Sequence, residues 1–180
     1  LQGATPIAIK LTVPDFAVNW DEVRAAITPR TRMIIINTPH NPSGQVFCAN
    51  DLQQLAALTR QTDIIILSDE VYEHVVFDGE PHHGMATHPQ LAERSVIISS
   101  FGKTYHVTGW RVGYCVAPAV LMDEICKVHQ FLMFSADTPM QHAFAEHMVD
   151  PQTWLSLSAF YQRKRDLLHG LLADSPFTLL

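Results

Sequence analysis

The stretch Val96-Ile97-Ile98-Ser99-Ser100-Phe101-Gly102-Lys103-Thr104-Tyr105-His106-Val107-Thr108-Gly109-Trp110-Arg111-Val112-Gly113-Tyr114 decides how this chain is read. A short β-branched run enters it, and a second apolar run, residues 112–116, leaves it. Between them stand hydroxyls, glycines, one lysine and one arginine, the mixture a chain uses to hold an anion close to its backbone. A lysine at the mouth of a buried strand is badly placed for a structural role. Desolvation disfavours its ammonium form and makes the neutral amine a usable nucleophile, as Schiff-base chemistry requires.

The same arrangement, an apolar run emptying into a polar cluster, occurs twice upstream. Met33-Ile34-Ile35-Ile36 leads into Asn37-Thr38-Pro39-His40-Asn41-Pro42-Ser43-Gly44, and Ile64-Ile65-Ile66-Leu67 leads into Ser68-Asp69-Glu70. Continuous rather than alternating apolar runs mark strands covered on both faces of a parallel sheet. Between the two, residues 50–61 place Leu52, Leu55, Ala56 and Leu58 at helical spacing behind Asn50, a plausible cap. Further out, residues 6–11 read as a strand, and Asn19-Trp20-Asp21-Glu22 reads as a capping box opening a helix to about Ile27. Beyond Pro118 the pattern turns helical, at about 120–133, 138–149 and 152–173, and residues 178–180 read as an entering strand. The expectation is an α/β fold: three α/β/α layers around a mainly parallel sheet with right-handed crossovers, running into C-terminal helices. Ligands of such sheets sit outside the carboxyl ends of the strands, so three polar clusters at three strand ends describe one site.

Bulk properties narrow the function classes. The 180 residues are 47% hydrophobic and 17% charged, enough for a sizeable core and unlike a disordered tail or a coiled coil. A net charge of −6 with no Lys/Arg block argues against nucleic-acid binding. No apolar run reaches membrane-spanning length and no signal peptide opens the chain, so a cytoplasmic protein is expected. Cys48, Cys115 and Cys126 lack metal spacing and read as small core residues in a reducing compartment. His74, His82, His83 and His88 have no cysteine or paired carboxylate at ligand spacing, so no metal is expected. Gly102-Lys103-Thr104 imitates the end of a nucleotide-binding P-loop, but Ile97 stands where that motif needs glycine. Ser100-x-x-Lys103 imitates the penicillin-recognising serine enzymes, yet their Ser-Asp-Asn and Lys-Thr-Gly elements are missing.

Asp69 ends an apolar strand, where burial raises a carboxyl pKa unless a cation lies close; a helix-capping role is open to it as well. Tyr72 follows three residues later, on the same side if the segment is a helical turn. Asn41-Pro42 sits in a turn with two prolines, where an X-Pro bond can be held cis.

Ser100-x-x-Lys103 with Arg111 resembles the cofactor-lysine segment of the fold-type I pyridoxal-phosphate (PLP) aminotransferases. The string Ser-Phe-Gly-Lys-Thr-Tyr-His-Val-Thr-Gly-Trp-Arg-Val-Gly-Tyr is similar to their methionine and kynurenine branch. The resemblance covers nearly the whole chain, as the central part of a large domain (1–150) and a long helix (151–180) linking toward a small C-terminal domain. It implies that Lys103 forms the Schiff base with PLP and then moves a proton. Asp69 pairs with the pyridine nitrogen, and Asn41 and Tyr72 meet the phenolic oxygen. Ser100 and Arg111 hold the phosphate, one through a hydroxyl and the other through a bidentate guanidinium. Asn37-Thr38-Pro39-His40-Asn41-Pro42 departs mildly from the family's Asn-Pro-x-Asn-Pro turn. The implied reaction is a ping-pong transfer of an amino group from an L-amino acid (methionine, aromatic or kynurenine-like) to a 2-oxo acid, in a homodimer. A PLP-dependent carbon–sulfur β-lyase and an effector-binding domain of a transcription regulator share the same resemblance.

Overall fold

A computed structural model describes residues 3–177. Four strands form one sheet in the order β1 (Met33–Asn37), β2 (Ile65–Asp69), β3 (Ser95–Ser100) and β4 (Gly113–Val116). The first three run parallel, and β4 returns antiparallel beside β3. Because side chains alternate, the register sorts the strands into two faces. Ile34, Ile36, Ile66, Ser95 and Ile97 share one face; Ile35, Leu67, Val96 and Ile98 share the other.

Helix α1 (Trp20–Ala26) begins at Asn19, whose side chain accepts from the amides of Asp21 and Glu22. The expected box is only half formed: Glu22 accepts from the Asn19 side-chain amide at 3.1 Å, not from the Asn19 backbone amide. Helix α2 (Ala49–Thr59) has its cap two residues earlier than expected. Cys48 is its N-cap residue, and the Cys48 amide donates to Asp51 Oδ2 at 2.8 Å. Leu52, Leu55 and Ala56 of α2 close over Ile36 and Ile66, with Phe47, Met85 and Leu91 completing the core. Leu55, Ile66, Met85 and Leu91 are fully buried, each burial contributing about 1.5–3 kcal/mol. Leu91 belongs to α3 (Pro89–Ala92), which follows a 3-10 turn at Met85–Thr87.

After β3 come α4 (Phe101–Thr104) and a 3-10 turn at Thr108–Trp110. Helix α5 (Ala119–Leu132) lies behind β4, with Met122 Sδ 3.8 Å from Cys115 Sγ on the Ile98 face of the sheet. α6 (Thr138–His147) follows. The long final helix is divided at Ser156 into α7 (Gln152–Leu155) and α8 (Leu157–Leu172).

Three expectations are corrected. Residues 6–11 form no strand, and Ile7 is exposed. β1 ends the sheet, and a strand is stable only with a neighbour to take its backbone hydrogen bonds. The cysteines are not core residues: Cys48 and Cys126 are exposed and Cys115 is half-buried. Nor is β1 covered on both faces, since Ile35 is 71% exposed. The strand expected at 178–180 lies outside the described residues. No helix among the described residues is long and apolar enough to cross a membrane.

Candidate active site

The polar residues at the carboxyl ends of β1, β2 and β3 come together as the parallel topology requires. Asn37 ends β1 opposite Asp69 at the end of β2. The Asn37 side-chain amide donates to the Asp69 carbonyl at 3.0 Å, and the same carbonyl accepts from the Thr38 amide at 3.0 Å. The Asn37 side-chain oxygen accepts from the Asn41 amide at 2.8 Å, so Asn37 sets where the turn places Asn41. The Thr38-Pro39 and Asn41-Pro42 bonds are both cis. From this turn the Asn41 side chain donates to the Tyr72 hydroxyl at 3.3 Å.

Asp69 is half-buried and its Oδ1 accepts from the Val71 amide at 3.3 Å, opening the turn that carries Tyr72. The Lys103 ammonium lies 5.8 Å from the centroid of the Tyr72 ring, over its face. Among the described residues neither Asp69 nor Lys103 makes an ion pair. Ser100, the last residue of β3, is the N-cap position of α4, one turn ahead of Lys103. Arg111 follows the 3-10 turn in a left-handed conformation (φ 57°), is exposed, and donates to the Thr108 carbonyl at 3.2 Å. Asn41, Tyr72 and Lys103 are thus in mutual reach through Tyr72. Ser100 joins them along α4, and Arg111 stands two residues before Gly113, the β4 partner of Ser100. An open cleft of about 570 Å³ flanks Asn41 and Tyr72, bounded further by His40, Phe47, Phe77 and Arg165, and Lys103 is not among its walls.

Two carboxylates brace the site from beneath. Glu70 is only 3% exposed and accepts from Ser68 Oγ at 2.8 Å, the Met85 amide at 3.0 Å and His82 Nε2 at 2.8 Å. Burial pushes its pKa up, but the bonds from His82, Met85 and Ser68 outweigh it and hold the carboxyl below its ordinary value. Glu73 accepts from Ser99 Oγ at 2.6 Å and from the Tyr114 hydroxyl at 3.0 Å. Burial raises the Tyr114 pKa, and Glu73 adds to the rise. Burial also lowers the pKa of His74 against the pull of Glu73. Sequence reading did not assign roles to Asn37, Glu73, Ser99 or Tyr114. Asn37 stood within the turn motif, but the pairing of Glu73 with residues 26 and 41 positions away leaves no trace in local spacing.

Comparison with known proteins identifies the family. Residues 1–180 match the family described as aminotransferase class I and II. The methionine aminotransferase of Escherichia coli strain K12 is 47% identical over 181 residues, covering all of this chain and 47% of that protein. The kynurenine–oxoglutarate transaminase of Dictyostelium discoideum is 42% identical over 163 residues, covering 88% of this chain and 38% of that one. Among solved structures, YbdL from Escherichia coli, for which a methionine aminotransferase function was identified, superposes with a TM-score of 0.90. It is 49% identical over 92% of this chain and 44% of its own. The chain spans less than half the length of these relatives. With its strand-end cluster and a match along its whole length, the chain belongs to the class I and II aminotransferase family.

Proposed function

We propose that the protein carrying this chain is a PLP-dependent aminotransferase that moves an amino group from an L-amino acid to a 2-oxo acid. Methionine, aromatic or kynurenine-like amino acids are the donors. The observation that carries the reading is the meeting of Lys103, Tyr72 and Asn41 at the strand ends in a chain of this family. Bound PLP supplies an aldehyde to capture the amino group and a protonated ring that withdraws electrons from the substrate Cα.

The residues present fit that group. Among the described residues Lys103 offers a primary amine and Asp69 a carboxylate, neither in an ion pair, and a carboxylate is the charge a protonated ring nitrogen needs. Tyr72 and Asn41, already hydrogen-bonded to each other, would hold the phenolic oxygen. Ser100 Oγ and the Arg111 guanidinium, which uses one nitrogen on Thr108, would hold the phosphate. Lys103 Nζ would hold and move the proton at the substrate Cα. Residues 1–150 are read as part of the cofactor-binding domain and 151–180 as the helical link to a second domain. A homodimer is the expected assembly.

Borohydride reduction of the full-length protein with PLP, followed by peptide mass mapping, tests the reading. A phosphopyridoxyl group on Lys103, lost in Lys103→Ala, supports it, and label elsewhere or none refutes it. Amino-group transfer from methionine, phenylalanine or kynurenine to a 2-oxo acid then ranks donors. Release of pyruvate from a cysteine conjugate, without transfer, would identify a β-lyase instead.

A further inference from the structure

Resting on that reading of the site, we propose that Glu73 is a positioning residue that locks the turn carrying Tyr72 onto the end of β3, which carries Ser100 and leads into Lys103. One carboxylate oxygen, Oε1, accepts from both Ser99 Oγ (2.6 Å) and the Tyr114 hydroxyl (3.0 Å). Ser99 and Tyr114 face each other in the β3–β4 register, so their side chains leave the same face of the sheet and converge on that oxygen. Each of the three stands beside a site element: Glu73 follows Tyr72, Ser99 precedes Ser100, and Tyr114 follows Gly113, the partner of Ser100.

The tie matters because the other side-chain bonds around Tyr72, from Asn41 to its hydroxyl and from Ser68, Met85 and His82 to Glu70, run to elements other than β3. Residues 71–74 are a turn, joined to β3 by one backbone bond from the Glu70 amide to the Ile98 carbonyl at 2.8 Å. Glu73 adds a second, charge-assisted fastening on the opposite face of the sheet from Asp69. Close approach at this point is visible in Gly113, where a Cβ would lie 2.5 Å from the Ser99 carbonyl oxygen. Reacting groups displaced by about 1 Å can lose about 10²-fold in rate, so a fastening of this kind registers in turnover.

The test uses Glu73→Ala, Glu73→Gln and Ser99→Ala in the full-length protein. Glu73→Ala is expected to lower kcat about tenfold and weaken PLP binding about tenfold, with KM for the amino donor within about threefold. Glu73→Gln keeps an oxygen acceptor and restores both to within about threefold of wild type. In the cofactor-free protein, Glu73→Ala speeds hydrogen exchange over residues 99–104 about tenfold and leaves α2 unchanged, and Ser99→Ala adds nothing in that background. Unchanged exchange at 99–104 would overturn the proposal. So would a fall in melting temperature with kcat and PLP affinity of the folded protein intact, the signature of a merely structural role. If the wild-type protein takes up no PLP, the cofactor reading fails, and exchange at 99–104 alone decides whether Glu73 joins the two segments.

Discussion

Replacing Glu70 with alanine isolates what a buried carboxylate contributes beside the site. Glu70 Oε1 serves two donors at once, Ser68 Oγ and the Met85 amide, and both residues are fully buried. Removing the carboxylate leaves each donor without a partner or access to water, at about 1–3 kcal/mol each, or about 4 kcal/mol together. Glu70→Gln keeps a carbonyl oxygen for both donors but sets an NH2 group opposite His82 Nε2, which must then accept instead of donate, so its cost is about 1 kcal/mol. Local opening of residues 82–88, read by hydrogen exchange in the full-length protein, should be about 10³-fold faster in the alanine variant and less than about tenfold faster in the glutamine one.

The pH dependence has a definite sign. The folded Glu70 carboxyl lies below its ordinary value of 4.5 because its three donors together outweigh burial. Its contribution is therefore fully present above about pH 4.5 and is lost as pH falls through the lowered folded value. Glu70→Gln has no such group, so the wild-type advantage should shrink as pH drops below about 4.5. A gap between the two that stays constant from neutral to acid pH would refute the reasoning. So would alanine and glutamine variants with equal exchange.

Other substitutions probe the remaining layers. Leu55→Ala empties a fully buried position under α2 and should cost about 3 kcal/mol in thermal or urea denaturation, with no direct effect on cofactor affinity. Gly102→Ala puts a Cβ 2.9 Å from Thr108 Cα, so the loop bearing Lys103 must open. About 1–3 kcal/mol of stability should be lost, and less Lys103 should be trapped by borohydride. Asn37→Ala removes the bonds to the Asp69 carbonyl and the Asn41 amide, and a PLP titration followed by absorbance should show about tenfold weaker binding.

Local chemistry is what made the elements legible. The runs 33–36, 64–67 and 96–98 lie within β1, within or beside β2, and within β3, because a continuous β-branched run has few other folded uses. Asn19 was readable as a cap because its bonds are made within three residues. Residues 6–11 misled because a strand depends on a neighbour, and nothing in six residues says whether one is present. The division of the last helix at Ser156 was equally hidden, since its apolar spacing continues on both sides of the break. The cap of α2 moved from Asn50 to Cys48 because the Asp51 carboxylate reaches back to the Cys48 amide.

By itself, the sequence determined an α/β chain with its polar clusters at strand ends, and it nominated Lys103, Asp69, Tyr72, Asn41, Ser100 and Arg111. Those features are written in residue types and short spacings, which follow from backbone periodicity and from the chemistry each side chain can perform. The tertiary structure decided which of them touch. It also decided that β4 runs antiparallel, that Asn37 aims Asn41, and that Glu70 and Glu73 fasten the turn between them to distant segments. Contacts over tens of residues depend on how strands are ordered and registered, and that is settled only when the whole sheet closes around its core.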